Sequence, residues 1–343
     1  MKGFTLLLLC WASILNAQKD STYISCHAGS WCCGGDPSPA GVMISHVHAK
    51  GEWMVSYRYM HMQMEGIVSG QSPITISDVL ATYTAAPLEM QMGMHMGMLM
   101  YGLTDKLTLM GMCNYSSNWM KMKMTMGQHV HTHNMAAKGI GDTRLSVLYA
   151  LKTTETQQLL MSTGINLPTG KINLKGAANA MMYPLQRMPY MMQTSSGSFE
   201  LPATINYAQI NGKWYYSAQV NALIRLGRNV LHYRYGNEWS LQSWVARKWR
   251  HGWSSSLRAE FTQQFRLVGN DASLNPTFEP AANSANYGFQ RLIGFFGVVY
   301  EPEGKWLEQV RLAIEGGYPV YQKYQGTQMP LTQTLLFSIN YNF

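Results

Sequence analysis

The sequence predicts an all-β fold, a transmembrane antiparallel up-and-down β-barrel of about twelve strands. The first indication is segment 331–343, where apolar residues occupy every second position from Leu335 to Tyr341, the residues between them are polar except Leu336, and the last residue is Phe343. Side chains two apart on a strand share a face, so this strand has one apolar and one polar side. The second indication is composition: 46% of the residues are hydrophobic, only 13% are charged, and the mean hydropathy is −0.15. Low charge without net hydrophobicity is typical of strands placed between lipid and water.

Charge and hydropathy narrow the function classes. The net charge is +8, but the basic residues are scattered, so a nucleic-acid partner is not expected. Basic loops that face outer-membrane lipid, lipopolysaccharide included, account for this charge. After the first residues, no apolar run approaches the roughly 20 residues that a membrane helix needs.

The N-terminus has the pattern of a secretory signal peptide. Lys2 precedes an apolar stretch, and a small-residue site near Ala17 predicts a signal peptide over residues 1–17, cleaved before Gln18. Export would place the mature chain in an oxidising compartment. We expect residues 18–52 to form a periplasmic N-terminal segment that contains cysteine, glycine and histidine.

The cysteines of this segment leave two alternatives open. Cys26 and one of the adjacent pair Cys32 and Cys33 are expected to form a disulfide, as exported cysteines usually do. The alternative is a metal site with His27, since thiolates favour soft ions. A second periplasmic site that combines Cys26 and Cys32 with His46 and His48 is a further alternative.

From residue 53 the sequence alternates between strand patterns and turns or loops, as in a series of β-hairpins. The predicted strands are 53–65, 90–101, 107–119, 143–151, 157–166, 198–209, 214–226, 238–249, 253–267, 289–300, 309–320 and 331–343. Their connections alternate between short turns and long loops, the long ones at 66–89, 120–142, 167–197, 227–236 and 268–288. Outer-membrane barrels place short turns in the periplasm and long loops outside. We therefore expect residues 53–343 to be a barrel in the outer membrane of a Gram-negative bacterium.

The order of several motifs carries a family resemblance. The runs GEWMVSYRYM, YGLTDKLTLMGM, KGIGDTRLSVLYAL, INLPTGKINLKG and YQKYQGTQM follow one another over roughly residues 43–343. In this order the chain resembles the outer-membrane β-barrel family named for transport in the MetA-pathway (meta-pathway) of phenol degradation, in a Met/His-rich variant. The resemblance implies a channel in the outer membrane.

Methionine accounts for 26 residues, many of them at every second position. Between residues 53 and 65 the methionine face also carries Ser56 and Arg58. Arginine that faces lipid near the bilayer midplane costs roughly 2–4 kcal/mol, so this face is predicted to point into the lumen.

The next two predicted strands give opposite indications. Met110 and Met112 share a face with the polar Thr108 and Asn114, which again predicts a lumenal methionine face. In residues 90–101 the face opposite the methionines is itself polar, so methionines that point to lipid remain an alternative. That polar face consists of Gln91, Gly93, His95 and Gly97.

Methionine and histidine together indicate a soft-metal site. Thioether and imidazole ligands suit copper(I) and silver(I), and the hairpin topology places most of these side chains near the extracellular mouth. The candidate ligands are Met60, Met62, Met64, Met92, Met94, His95, Met96, Met120, Met122, Met124, Met126, His129, His131 and His133. The alternative is that methionine serves as a flexible apolar filler and the histidines form an ordinary polar loop.

The sequence contains no motif of a hydrolase elbow, phosphate-binding loop, zinc protease helix or dinucleotide site, so an enzyme is not expected. A Ser–His hydrolase inside the barrel is a formal alternative. The two functions that stay open are a channel for small solutes, which requires no cofactor, and a copper(I)- or silver(I)-binding protein of metal capture or resistance. We expect the barrel-assembly machinery to recognise the end of the chain at Phe343.

Overall fold

The computed structural model describes residues 36–126, 129–176, 186–302, 307 and 309–343, and the side chains of these residues except Met126, His129 and Val130. The predicted signal peptide lies outside the described residues, as do Cys26, Cys32 and Cys33, for which a disulfide or a metal site was predicted. The strands of the main sheet are β1 (Trp53–Glu65), β2 (Ala85–Thr104), β3 (Leu107–Met126), β4 (His129–Ile140), β5 (Thr143–Thr153), β6 (Gln157–Leu167), β7 (Phe199–Asn211), β8 (Trp214–Leu226), β9 (Glu238–Lys248), β10 (Trp253–Gln264), β11 (Phe289–Tyr300), β12 (Val310–Tyr324) and β13 (Leu331–Asn342).

These strands form a closed antiparallel barrel. Consecutive strands pair, except that β4 and β5 both pair with β3, and β13 returns to β1 in a register that runs from Asn342 opposite Met54 to Leu331 opposite Met64. β4 and β5 lie one after the other along β3, with a break at residues 141–142, so the two share one position. The barrel therefore has twelve positions, and the predicted fold class is confirmed.

Side chains alternate between the outside and the inside of the wall. On β13, Phe337 and Ile339 are exposed outward, whereas Ser338 is completely buried inside. The same alternation gives the barrel an outer belt of Val, Leu, Ile, Phe and Tyr, for example Val55, Leu99 and Leu257. An apolar outer belt is the arrangement that a bilayer requires of a β-barrel.

Aromatic side chains ring the end of the barrel that carries the short turns. Trp53 packs against Tyr101, and Trp253 against Tyr300, each pair with ring centroids 4.5 Å apart. Tryptophan and tyrosine are the residues that prefer the membrane–water interface. This end is the periplasmic rim of the barrel.

One predicted loop is wrong. Residues 120–142 are an extended hairpin, because β3 continues to Met126 and β4 begins at His129. β2 and β3 each have 20 residues, whereas about 9–11 are enough to cross a bilayer. The wall of β2, β3 and β4 therefore extends well past the membrane on the side of the long loops.

The chain also contains short elements in its loops. Helix α1 (Ile76–Leu80) starts with a capping box, in which Thr75 and Asp78 satisfy each other's backbone N–H groups. Within the described residues, no helix has the length and apolar character needed to cross a membrane.

The described part of the segment predicted as periplasmic lies inside the barrel. Residues 36–49, here called the internal segment, are mostly buried, and Ala40 and His48 are completely so. Val42 packs against the wall at Tyr215 and Trp244, and Ile44 packs on the opposite side against methionines of β2 and β3. The segment fills the barrel toward its periplasmic end.

Candidate functional site

A buried ion pair anchors the internal segment to the wall. Arg258 on β10 binds both carboxylate oxygens of Glu315 on β12, with Nε–Oε1 at 2.8 Å and Nη2–Oε2 at 3.1 Å. The N–H of Gly41 donates to the same Glu315 Oε2 at 2.7 Å, and the guanidinium of Arg258 lies over the ring of Phe295. On the other side, Arg58 donates to the carbonyl oxygen of Val42 at 3.0 Å. Charged side chains of the wall thus bind the backbone of the internal segment at Gly41 and Val42.

The internal segment takes part in two histidine–carboxylate pairs, of which the Asp36–His46 pair joins its two ends. His46 Nδ1 lies 3.0 Å from Asp36 Oδ2, and His48 Nδ1 lies 3.3 Å from Glu52 Oε1. Burial raises the pKa of Asp36, but hydrogen bonding and charge from His46, with the charge of Arg311, bring it below its ordinary value.

The two histidines respond differently to burial. Burial lowers the pKa of His46, and the hydrogen bond and charge of Asp36, helped by Glu52, more than reverse this, so the pKa of His46 is raised. For His48 the burial outweighs the contact with the carboxylate of Glu52, and its pKa is lowered. Asp36 therefore favours the charged form of His46, whereas burial favours the neutral form of His48.

The methionines of β1 and β2 line the interior. On β1, Met54, Met60, Met62 and Met64 share the inner face with Arg58, as the sequence predicted. On β2 the methionines also face inward, so the alternative of a lipid-facing methionine strip is wrong. Their inward position is shown by the burial of Met90, Met96, Met98 and Met100, none of them more than 7% exposed.

Direct strand pairing places inner methionines opposite one another. Met64 lies opposite Met90, Met90 opposite Met120, and Met120 opposite Met135. These four side chains form one row across β1, β2, β3 and β4, here called the upper methionine row. Directly opposite residues have Cβ atoms about 4.5–5.5 Å apart and share a face of the sheet.

The histidines divide between the two faces of the wall. His133 lies opposite Met122 and His131 opposite Met124, so both belong to the inner side of the β3–β4 hairpin. His133 Nε2 is buried and has no hydrogen-bond partner among the described residues. His95 points outward, where Tyr57 lies 2.7 Å from its Nδ1, so the structure separates it from the methionines. Of the other candidates, Met126 and His129 lie outside the described side chains.

Methionines extend over the whole height of this wall. Met54, Met98, Met100, Met110 and Met112 lie toward the periplasmic end, where they pack against Ile44 and Val47 of the internal segment. The predicted gathering of methionines at the mouth therefore describes only the upper part of a longer methionine wall. In that upper part, Met60, Met62, Met92 and Met94 continue the inner face below the upper methionine row.

The opposite wall of the lumen is polar. Ser217 donates to Asn206 at 2.8 Å, Thr204 donates to Asn221 at 2.9 Å, and Asn221 donates to Ser240 at 3.0 Å. Nearer the loops, Arg225 donates to Glu200 at 2.9 Å, and Asn166 donates to the other oxygen of Glu200. The lumen therefore combines one thioether wall with one hydrogen-bonding wall.

Two long loops fold over the upper methionine row. Met188, Met191 and Met192 of the loop after β6 join the same buried cluster as Met90 and Met120, and Asn118 of β3 donates to the carbonyl oxygen of Met191 at 3.4 Å. In the loop after β10, Glu279 is 3% exposed, and burial raises the pKa of its carboxyl to about 8. Nearby tyrosines stack edge to face, Tyr190 on Tyr287 with centroids 5.4 Å apart.

Some site residues were missed in the sequence. Met135 continues the alternation of the HVHTH run by one step, so the pattern itself contained the signal. Met188 and Met192 reach the row through loop folding, for which a sequence pattern gives no signal. Conversely, His95 lies within the methionine run of the sequence, but it stands between Met94 and Met96 and therefore points to the other face.

Metal binding would depend on sulfur here. Among the described residues, no three His, Cys, Asp or Glu side chains are grouped in a way that could hold a metal ion. Cys113, the described cysteine, is free and exposed on the outer face. Any metal site in the described wall would therefore be built largely on thioether ligands.

Comparison with known proteins shows the fold. No protein-family model matches the chain, and no curated protein matches it, so the resemblance to the phenol-pathway family stays a prediction. Among solved structures, the COG4313 outer membrane channel from Pseudomonas putida F1 is similar with a TM-score of 0.56 at 12% identity, over 90% of this chain and 99% of that chain.

Two other solved barrels are more distant. The P. putida toluene transporter TodX gives a TM-score of 0.44 at 11% identity, over 85% of this chain and 90% of that chain. The KdgM porin gives 0.41 at 7% identity, over 84% of this chain and 99% of that chain. The closed barrel with its apolar outer belt makes this chain an integral protein of the Gram-negative outer membrane.

Proposed function

We propose that this protein is a non-enzymatic outer-membrane channel for small solutes, with a lumen lined by methionine on one side and hydrogen-bonding side chains on the other. The observation that carries the proposal is the closed twelve-position barrel with a two-sided interior. Its similarity in fold to an outer membrane channel supports the proposal. The internal segment narrows the passage at the periplasmic end, so the solutes would be small.

Conductance tests this proposal. The purified protein, inserted into a planar bilayer, is expected to give discrete, small conductance steps. A barrel that inserts but stays electrically silent, and that admits no small solute into loaded vesicles, would contradict a channel function.

We propose copper(I) or silver(I) binding as a second candidate function, in metal capture or resistance. It is supported by the choice of methionine at inward positions of β1–β4, while outward positions of the same strands use residues such as Val55, Leu99 and Leu109. Thioether sulfur is a ligand that selects copper(I). Equilibrium uptake of silver(I) by the detergent-solubilised protein, measured against a methionine-poor barrel, tests it; equal uptake would contradict it.

We also propose two partners. Outer-membrane lipid, including lipopolysaccharide, would surround the apolar belt, and the barrel-assembly machinery would recognise the closing strand. Phe343 supports the second proposal because it lies in the seam of the barrel, where it exchanges two backbone hydrogen bonds of 2.8 Å with Trp53. Deletion of Phe343 should lower the amount of assembled barrel in cells; unchanged assembly would rule out this recognition.

A further inference from the structure

The upper methionine row differs from the rest of the methionine wall in what covers it. Toward the periplasmic end, Met98 and Met112 pack with Ile44 and Val47 of the internal segment, so methionine there fills space as an apolar side chain. The upper row instead shares its buried cluster with two methionines of the loop after β6, Met188 and Met192, together with apolar residues of the wall. Methionines of the wall and of a loop therefore belong to the same buried cluster at this place.

The strand register brings the sulfurs of this row within reach of one another. Met90 and Met120 are directly opposite and completely buried, and Met135 continues the row on β4. Neighbouring Cβ atoms in such pairs lie about 5 Å apart, and each methionine has three rotatable bonds. Adjacent thioethers can therefore converge on a single ion without a change in the backbone.

An imidazole stands beside the row. His133 precedes Met135 by two residues on the same inner face, and its buried Nε2 has no hydrogen-bond partner in the described part of the chain. A buried ring nitrogen without a partner is costly in an apolar cluster, and coordination of a metal ion would satisfy it. Neutral imidazole nitrogen is a common metal ligand.

We infer that Met90, Met120 and Met135, with His133, form a binding site for one copper(I) or silver(I) ion at the extracellular end of the lumen. The inference rests on the metal-binding candidate function above and names its site. All four ligands are neutral, which suits a soft monovalent ion better than a divalent one. The site lies on the part of β2–β4 that extends past the membrane, so ions outside the cell reach it first.

Silver(I) titration of the full-length protein in a chloride-free detergent buffer tests the inference. The variant carrying Met90→Leu and Met120→Leu is expected to bind the tightest silver ion at least tenfold more weakly. Leucine conserves the volume of methionine, so the barrel should fold, and its heat-modifiable gel mobility checks this. His133→Gln should weaken the same binding step.

Two control variants locate the site. Met98→Leu with Met112→Leu changes a directly opposite pair on the same two strands, and Met161→Leu changes a methionine on the outer face. Both are expected to leave the tightest binding step unchanged. If the wild-type protein binds no silver, the inference and the metal-binding function both fail. If wild-type binding survives the Met90 and Met120 changes, or falls equally in the Met98 and Met112 control, only the assigned site is overturned.

Discussion

Glu315 is a buried carboxylate that serves two purposes at once. It pairs with Arg258, and it accepts the N–H of Gly41 from the internal segment. Both charged side chains are almost completely buried, at 1% and 0% exposure. Breaking such a pair from one side is costly because the remaining charge stays buried without compensation.

We expect Glu315→Gln to lower the free energy of unfolding by about 3–5 kcal/mol. Glutamine keeps the shape and can still accept the N–H of Gly41, so the loss comes from the buried Arg258, which keeps only the partly exposed Glu260 as a charged partner. Urea unfolding in phospholipid vesicles, followed by tryptophan fluorescence, measures it. Glu260→Gln is the matched control, since Glu260 also binds Arg258 but is 28% exposed; an equal loss in both variants would contradict the central role of Glu315.

The Asp36–His46 pair makes the stability of the internal segment's position in the barrel depend on pH. The pKa of His46 is raised above its ordinary 6.5, so its contribution is complete below pH 6.5 and is lost as the pH rises through the raised value. The pKa of Asp36 is lowered from 3.8, so its contribution is lost only in strong acid. His48, with its lowered pKa, destabilises the folded state only below pH 6.5.

Above pH 6.5, His46 is therefore the histidine of the segment whose charge changes, with Glu52, Glu301 and Arg311 as its other charged neighbours. We expect the single-channel conductance, or the open fraction, to rise as the pH increases from 6.5 through the raised pKa of His46. His46→Gln keeps a donor toward Asp36 but cannot titrate, so its response over this range should be flatter. The same rise in both proteins would show that another group is responsible.

At the scale of elements, the β3–β4 hairpin shows what the sequence pattern could and could not predict. The alternation of methionine with Lys121 and Lys123 is a strand pattern, yet the charge and the HVHTH run favoured a loop. Because β3 extends past the bilayer, its outer face meets water and can carry lysine. The predicted strand therefore ended too early, at residue 119, because the prediction assumed that the strand stops where the lipid ends.

The end of β2 is the element that receives the returning internal segment. Gly102 exchanges backbone hydrogen bonds with Gly51 and Glu52, and a Cβ at Gly102 would overlap the carbonyl oxygen of Ala49. We expect Gly102→Ala to displace the segment, cost about 1–3 kcal/mol by overpacking, and increase the conductance.

Gly97→Ala is the matched control for that substitution. Gly97 is on the same strand, but its added Cβ would make only an ordinary 3.8 Å contact with Cys113 Sγ on the outer face. Its stability and conductance should stay close to those of the wild-type protein. Comparable changes in both variants would indicate a general sensitivity of β2 to alanine rather than a clash with the segment.

At the scale of the whole molecule, the barrel could be predicted because alternate residues of a membrane strand face lipid and lumen, which gives the sequence an apolar–polar period of two. The closing strand, with Phe337 and Ile339 outside and Ser338 inside, needed only this alternation. The position of the internal segment could not be predicted, because its contacts join residues far apart in the chain, such as Gly41 and Glu315. A local pattern around Val42 and Ile44 shows an apolar stretch but not the cavity that receives it.

The methionine wall is the feature on which the functional account depends, and the methionines of β2 are where the sequence alone left two faces open. Methyl-labelled methionine in the protein, observed by NMR in lipid nanodiscs, distinguishes the faces when a lipid-soluble nitroxide is added. Met161, exposed on the outer face, serves as the internal reference. We expect the Met161 methyl signal to broaden while those of Met96, Met98 and Met100 stay sharp; broadening of the β2 methyl signals to the same degree as that of Met161 would contradict a methionine-lined lumen.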